Sequence, residues 1–264
     1  MSEKQRIHLA VSNIGFEARD DETVWRSLRQ WGYEGLEIAP TRLVGTRPYT
    51  KCVQAGEKAR MLRDQYGLCI PSMQSIWFGQ SGNIFDGEQA ERLAAYTRRA
   101  VNFAVAVGCP SLVFGNPRQR VMAEENRPED ALDFFAQISA YACQKGVRIA
   151  LEANPAVYGT NFCNTTAQAL DFAACVPGLK MNYDLGTMLT NGESLDLLFD
   201  HQAQVSHIHI SEPGLAPVRV REVHRELASG LRAAGYAGFV SVEMKTQEFS
   251  VVERVLKETA EVFA

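Results

Sequence analysis

Short runs of alternating apolar and polar residues recur along the whole chain, each followed by a longer stretch with helical periodicity. The alternating runs predict strands at 7–11, 35–39, 69–74, 111–114, 148–152, 179–184, 205–210 and 239–243. The stretches between them predict helices at 22–31, 54–66, 87–107, 128–145, 166–175, 194–201, 222–234 and 250–263. Local punctuation agrees. Pro128-Glu129-Asp130 suits a first helical turn, because Pro lacks an N–H and acids favour that end of the helix dipole. Eight strand–helix units in 264 residues fit an α/β fold. At a pitch of about 33 residues, the expected architecture is a single (β/α)8 TIM barrel spanning 1–264, its active site at the C-terminal mouth of the strands. An open doubly wound sheet would carry a glycine-rich phosphate loop after its first strand, and Ser12-Asn13-Ile14-Gly15-Phe16 is not one.

The phase within the strands carries more information. One face of a barrel strand meets helices and the other meets the interior. Ile149 and Leu151 alternate against Ala150, Glu152 and Asn154; Leu179, Met181 and Tyr183 against Lys180, Asn182 and Asp184. Ile208 and Ile210 alternate against His207 and His209; Val240, Val242 and Met244 against Ser241, Glu243 and Lys245; Leu36 and Ile38 against Glu37. Five strands thus turn an ionisable residue inward near their C-terminal end. An inward carboxylate is desolvated at a cost of several kcal/mol unless it is paired or binds a cation.

Glu152, Asp184, His209 and Glu243 fall at the ends of four consecutive strands. Three carboxylates and an imidazole converging on one point repel each other, and a divalent cation resolves that repulsion. The oxygen-rich set favours Mn²⁺, with Mg²⁺, Co²⁺ and Zn²⁺ also compatible. His209 lies one step nearer the mouth than His207, so His209 is read as the ligand and His207 as a deeper residue. The competing reading is a set of buried ion pairs with Lys180, Lys245 or nearby arginines.

At these motifs the chain resembles the xylose-isomerase-like barrels grouped as sugar phosphate isomerases/epimerases, a superfamily that also holds ketohexose 3-epimerases and metal-dependent AP endonucleases. The anchors are Leu151-Glu152-Ala153-Asn154, Tyr183-Asp184-Leu185-Gly186, His207-Ile208-His209-Ile210-Ser211-Glu212 and Ser241-Val242-Glu243-Met244. The resemblance implies metal ligation by Glu152, Asp184, His209 and Glu243, and an acid/base pair of Glu152 and Glu243. It implies an isomerase or epimerase that removes a proton beside a metal-chelated carbonyl through an enediolate. The chain departs from the epimerase pattern at Thr187 and Met188, where those members often have His, and at Tyr158, where they have a second Glu. A polyol-derived, keto-sugar or inositol-like substrate therefore fits as well as a ketohexose. A dehydratase or lyase of the same family, expelling a β-hydroxyl, is the alternative. An AP endonuclease would need more metal-site histidines and a basic DNA-facing surface, and a non-catalytic sugar-binding barrel would not need four ligands.

Further substrate-binding candidates are Glu37, Gln74, Trp77, Arg118, Tyr158, His207, Glu212, Arg219 and Lys245. Glu37 is either a substrate contact or a buried ion pair. Lys245 either binds a substrate anion or neutralises carboxylates. Trp77, Phe78 and Phe16 form either a lid over a sugar or ordinary packing. Arg118, Arg120, Arg219 and Arg221 either bind phosphate or carboxylate or lie solvated on loops. Asn182 and Gln74 are placed to hydrogen-bond the ligand residues. His8 reads as a barrel-core residue, and His201 and His224 as helix-surface residues.

Composition adds limits. Lys and Arg number 27 against 31 Asp and Glu, a net charge of −4, and the pI is about 5.8. That argues against a nucleic-acid partner; the small carbohydrate substrate is what the resemblance implies. No apolar run approaches the roughly 18 residues of a membrane span. The N-terminal residues lack a secretory pattern, and the six cysteines include no CxxC pair, so a cytoplasmic protein with reduced thiols is expected, with homo-oligomerisation left open.

Overall fold

A computed structural model describes residues 6–263. Seven parallel strands form one curled sheet: β1 (His8–Ser12), β2 (Gly35–Glu37), β3 (Ser111–Phe114), β4 (Arg148–Glu152), β5 (Lys180–Asp184), β6 (Val205–Ile210) and β7 (Phe239–Val242), in the order β2-β1-β7-β6-β5-β4-β3. The connections carry α1 (Asp21–Gln30), α2 (Pro40–Val44), α3 (Cys52–Tyr66), α4 (Gly87–Val107), α5 (Leu132–Gln144), α6 (Thr166–Ala174), α7 (Leu185–Asn191), α8 (Asp196–Asp200), α9 (Glu222–Ala233) and α10 (Phe249–Phe263). The expected TIM-barrel-like α/β fold is the one observed.

One strand differs from expectation. Residues 69–74 make only isolated bridges, to Gly35, Ile38 and Leu112. Pro71 has no N–H to give to a ladder. The segment still fills the eighth place in the ring. Leu36 N–H donates to the Cys69 carbonyl (2.9 Å) and Gln74 N–H to that of Ile38 (2.9 Å). On the other side Met73 N–H donates to Ser111 (2.9 Å) and Val113 N–H to Met73 (2.8 Å). Gly35 is required where this seam meets the first strand: a Cβ there would lie 2.8 Å from both Ala10 Cβ and Pro71 Cγ.

Helix ends follow local chemistry. Asp86 caps α4 by accepting from Gln89 N–H, and Thr165 with Gln168 forms a capping box on α6. Pro128 opens a single 3₁₀ turn, Pro128–Ala131, ahead of α5. Apolar faces of strands and helices merge into one buried cluster. Trp77 belongs to it, edge-on to Phe114 at 4.5 Å with its indole N–H on Thr97 Oγ1 at 2.9 Å, so it is packing and not a lid. Two histidines also depart from expectation. His224 is buried on α9, its Nδ1 accepting from Arg221 N–H (3.0 Å). His8 is part-exposed and pairs with Glu34 at 2.6 Å. Among the described residues no helix is long and apolar enough to cross a membrane.

Candidate functional site

Each of β4, β5 and β6 ends in residues whose alternate side chains enter the ring. Glu152 closes β4, Asp184 closes β5, His209 is the penultimate residue of β6, and Glu243 follows β7 directly. Asp184 and His209 are register partners on adjacent strands. Nδ1 of His209 faces Glu152 Oε2 and Glu243 Oε2, each at 3.2 Å. One ligand atom each from Asp184, His209 and Glu243 lies within 4.8 Å of the others. The four residues placed together by strand phase therefore converge.

Their outer oxygens are held by neighbours. Asn182 Nδ2 donates to Glu152 Oε2 at 2.6 Å and lies 3.1 Å from His209 Nδ1. Asn154 Nδ2 donates to Glu152 Oε1 (3.1 Å). Gln74 Nε2 donates to Glu243 Oε1 (2.9 Å), fulfilling the role read for it. Asp184 caps α7, accepting from Thr187 N–H at 2.7 Å, and its other oxygen accepts from Ser211 Oγ. Gly115 packs against Glu152, where a Cβ would lie 2.5 Å from Oε1. Gly115→Ala should therefore push the Glu152 carboxylate off its asparagines. It should weaken Mn²⁺ uptake about tenfold or more in a calorimetric titration, with an unchanged far-ultraviolet circular dichroism spectrum.

The field at this point favours positive charge. Burial would lower the His209 imidazole, yet Glu37 and Glu243 hold it well above the usual histidine range. Burial raises the Asp184 carboxyl, and Glu152 repels its charge further. Burial also raises Glu243, against the pull of His209. Three carboxyl groups around one nitrogen donor form an oxygen-rich set matched to a hard divalent cation.

The other face of His209 is closed. Glu37 is fully buried, and its Oε2 lies 3.0 Å from His209 Nε2, 2.8 Å from His207 Nε2 and 2.5 Å from Ser72 Oγ. Burial would raise the Glu37 carboxyl, but the two imidazoles hold it below the usual carboxylate range. Glu37, His207 and His209 also have metal-ligand spacing. Only His209 of these three borders the cavity, which resolves Glu37 as a buried pair and removes it and His207 from the substrate surface.

A cavity of about 470 Å³ opens over Glu152, Asp184, His209 and Glu243. Of the substrate-binding candidates, Gln74, Tyr158, Glu212 and Lys245 line it. The Tyr158 hydroxyl accepts from Gly214 N–H (3.0 Å), and Glu212 is paired with Arg221. Arg118 and Arg219 are exposed and do not line the cavity. The fourth loop turns Asn116 and Pro117 to it instead. Arg120, read as a solvated or anion-binding loop residue, is wholly buried between Phe114 and Phe162. It donates to the Glu152 carbonyl (3.0 Å) and to Asn154 Oδ1, and so braces the β4 end. Ser72 and Ser211 were missed as site residues. Both share strand phase with neighbours that were found, Gln74 and His209.

Residues 25–264 match the model of a family described as xylose isomerase-like TIM barrel. No curated protein matches the chain. Among solved structures, 3-keto-D-glucoside 4-epimerase YcjR from E. coli superposes with a TM-score of 0.78 at 18% identity, covering 97% of this chain and 99% of that one. D-psicose 3-epimerase from Clostridium cellulolyticum H10, solved with D-tagatose, gives 0.76 at 16% identity, with 97% of each chain covered. A Brucella melitensis protein described as AP endonuclease, family 2, gives 0.75 at 17%, covering 98% of this chain and 100% of that one. At these identities the likeness is one of fold.

Proposed function

Because the chain belongs to the xylose isomerase-like TIM barrel family, we propose that it is a divalent-metal-dependent isomerase or epimerase of a keto-sugar or polyol-derived substrate. The observation that carries this reading is the pair Glu152 and Glu243, each 3.2 Å from His209 Nδ1 and separated around the ring by the two strands between β4 and β7. Glu152, Asp184, His209 and Glu243 would hold the ion, Mn²⁺ by preference. A bound ion would supply Lewis-acid polarisation of a carbonyl held there. The two glutamates flank the substrate carbon. Glu243, with its raised pKa, and Glu152 exchange roles as base and acid across it. Gln74, Asn154 and Asn182 fix their carboxylate planes, and Arg120 fixes the backbone under Glu152.

The epimerases among the structural neighbours support this reading. The AP endonuclease neighbour raises a nuclease alternative, against which the net charge of −4 weighs. Incubation with a keto-sugar panel and Mn²⁺ in D₂O tests the proposal. Deuterium should appear at the carbon beside the carbonyl. No exchange with any keto-sugar, together with cleavage of abasic DNA, would replace this reading with the nuclease one. A new ultraviolet absorbance from a double bond would point to the dehydratase.

A further inference from the structure

A second and larger cavity, of about 910 Å³, lies beside the first, among the loops that follow β1, β2 and residues 69–74. Ile14 and Ser75 line both, so the two cavities are neighbours across those side chains. Together they offer far more room than one sugar ring occupies, and each is of the size that ligand sites have.

The second cavity has its own chemistry. Phe16, Tyr49 and Tyr96 line it, and Phe78 stands 67% exposed on its wall. The Phe78 ring is open to a planar ligand entering the cavity. Three arginines line it as well. Arg42 is committed to Asp21, at 2.6 Å, and to the Phe16 carbonyl. The side chains of Arg47 and Arg99 have no ion pair or hydrogen bond among the described residues. Arg47 adopts φ +50, an uncommon backbone conformation for a residue other than glycine and one that tends to be kept at functional positions. The carboxylate on the wall, Glu17, is exposed and leaves both guanidinium groups unpaired. Aromatic faces beside unpaired guanidinium groups fit an apolar, planar group that carries an acid.

We propose that this cavity is a subsite for the second half of a sugar conjugate. The ring occupies the first cavity, and an aromatic or other apolar aglycone bearing a carboxylate sits here, its acid held by Arg47 and Arg99. The assignment of the sugar half rests on the isomerase or epimerase reading above.

Binding tests it without turnover. The Mn²⁺-treated protein is titrated with 4-carboxyphenyl β-D-glucoside, phenyl β-D-glucoside and D-glucose. The carboxyphenyl glucoside should bind about tenfold or more tighter than the phenyl glucoside, as expected for a charge-assisted contact. The phenyl glucoside should in turn bind tighter than glucose. The double variant R47A/R99A should bring the two aryl glucosides to one affinity, and Phe78→Ala should weaken both. All three positions are exposed, and the single variants R47Q and R99Q give the same reading if the double variant folds poorly. Equal affinity for the aryl glucosides in the wild type, or a preference that survives R47A/R99A, overturns the subsite. Deuterium exchange on a free keto-sugar reports on the catalytic reading separately. Loss of that exchange with the aryl preference intact overturns the catalysis and leaves the subsite standing.

Discussion

Glu243→Gln should abolish net conversion of substrate and lower, by about 10²–10⁴, the rate of deuterium exchange from the epimer whose proton faces it, the usual contribution of a positioned acid or base. Gln is nearly isosteric and keeps one carbonyl oxygen, so the contact from Gln74 Nε2 to position 243 can persist. An anionic ligand oxygen is lost too, so the comparison is made at saturating Mn²⁺, where what disappears is the group that accepts a proton. Glu152→Gln should behave similarly at its own face, where Asn154 and Asn182 hold the side chain. The two variants should differ in a way that a structural lesion would not produce. If each glutamate serves one face of the carbon, each variant still exchanges the epimer whose proton faces the surviving carboxylate, and neither interconverts the two epimers. Proton nuclear magnetic resonance of both epimers in D₂O reads this directly. Equal net epimerisation by wild type and either variant would remove that residue from the chemistry.

The second large effect lies beneath the site. Glu37→Gln should weaken Mn²⁺ binding by about 10- to 100-fold, the range seen when the partner of a ligating histidine is lost. The reason is geometric. Nδ1 of His209 can face the cavity as a donor only if Nε2 carries its hydrogen toward Glu37, 3.0 Å away. A neutral amide oxygen there accepts less strongly from His209, His207 and Ser72, and its N–H₂ group takes the place of Oε1, which is buried without a partner. Glu37→Leu is the harsher change. It strips partners from donors in a fully buried pocket, at a cost of about 1–3 kcal/mol for each unsatisfied group, and should lower the melting temperature as well. A competition titration against a fluorescent chelator separates the two variants. Wild-type affinity in Glu37→Gln would mean that His209 takes its orientation from elsewhere.

Strand phase was the legible part of this site. Glu152 and Asp184 close regular strands and His209 lies one residue short of the end of another, and their inward phase follows from the period of two, which a neighbour cannot disturb without turning the whole strand over. Glu243 keeps that phase one residue beyond β7. Residues that depend on the packing of distant segments were not legible. Segment 69–74 alternates like a strand, but Pro71 breaks the ladder. Glu37 faces inward as read, yet nothing in sequence shows that Ser72 and two histidines seal it from the cavity. Arg120 and Trp77 look like loop residues; Arg120 becomes buried because Phe162 arrives from the next unit, and Trp77 because Phe114 and Phe134 do. His224 has the same origin: its helix is plain in the sequence, but the depth of that face is set by its neighbours. The arginine-lined second cavity is assembled from loops of three units together with α2 and α4, and periodicity does not show how such distant segments meet.

The proposed function stands on a divalent-metal site at the mouth of β4 to β7. Its most direct measurement is elemental analysis of the protein purified from Mn²⁺-supplemented growth and dialysed against metal-free buffer. The wild type should retain about one ion per chain, and Asp184→Asn combined with Glu243→Gln should retain almost none. A wild-type chain that carries no divalent metal and takes up no Mn²⁺ in calorimetry would contradict the account.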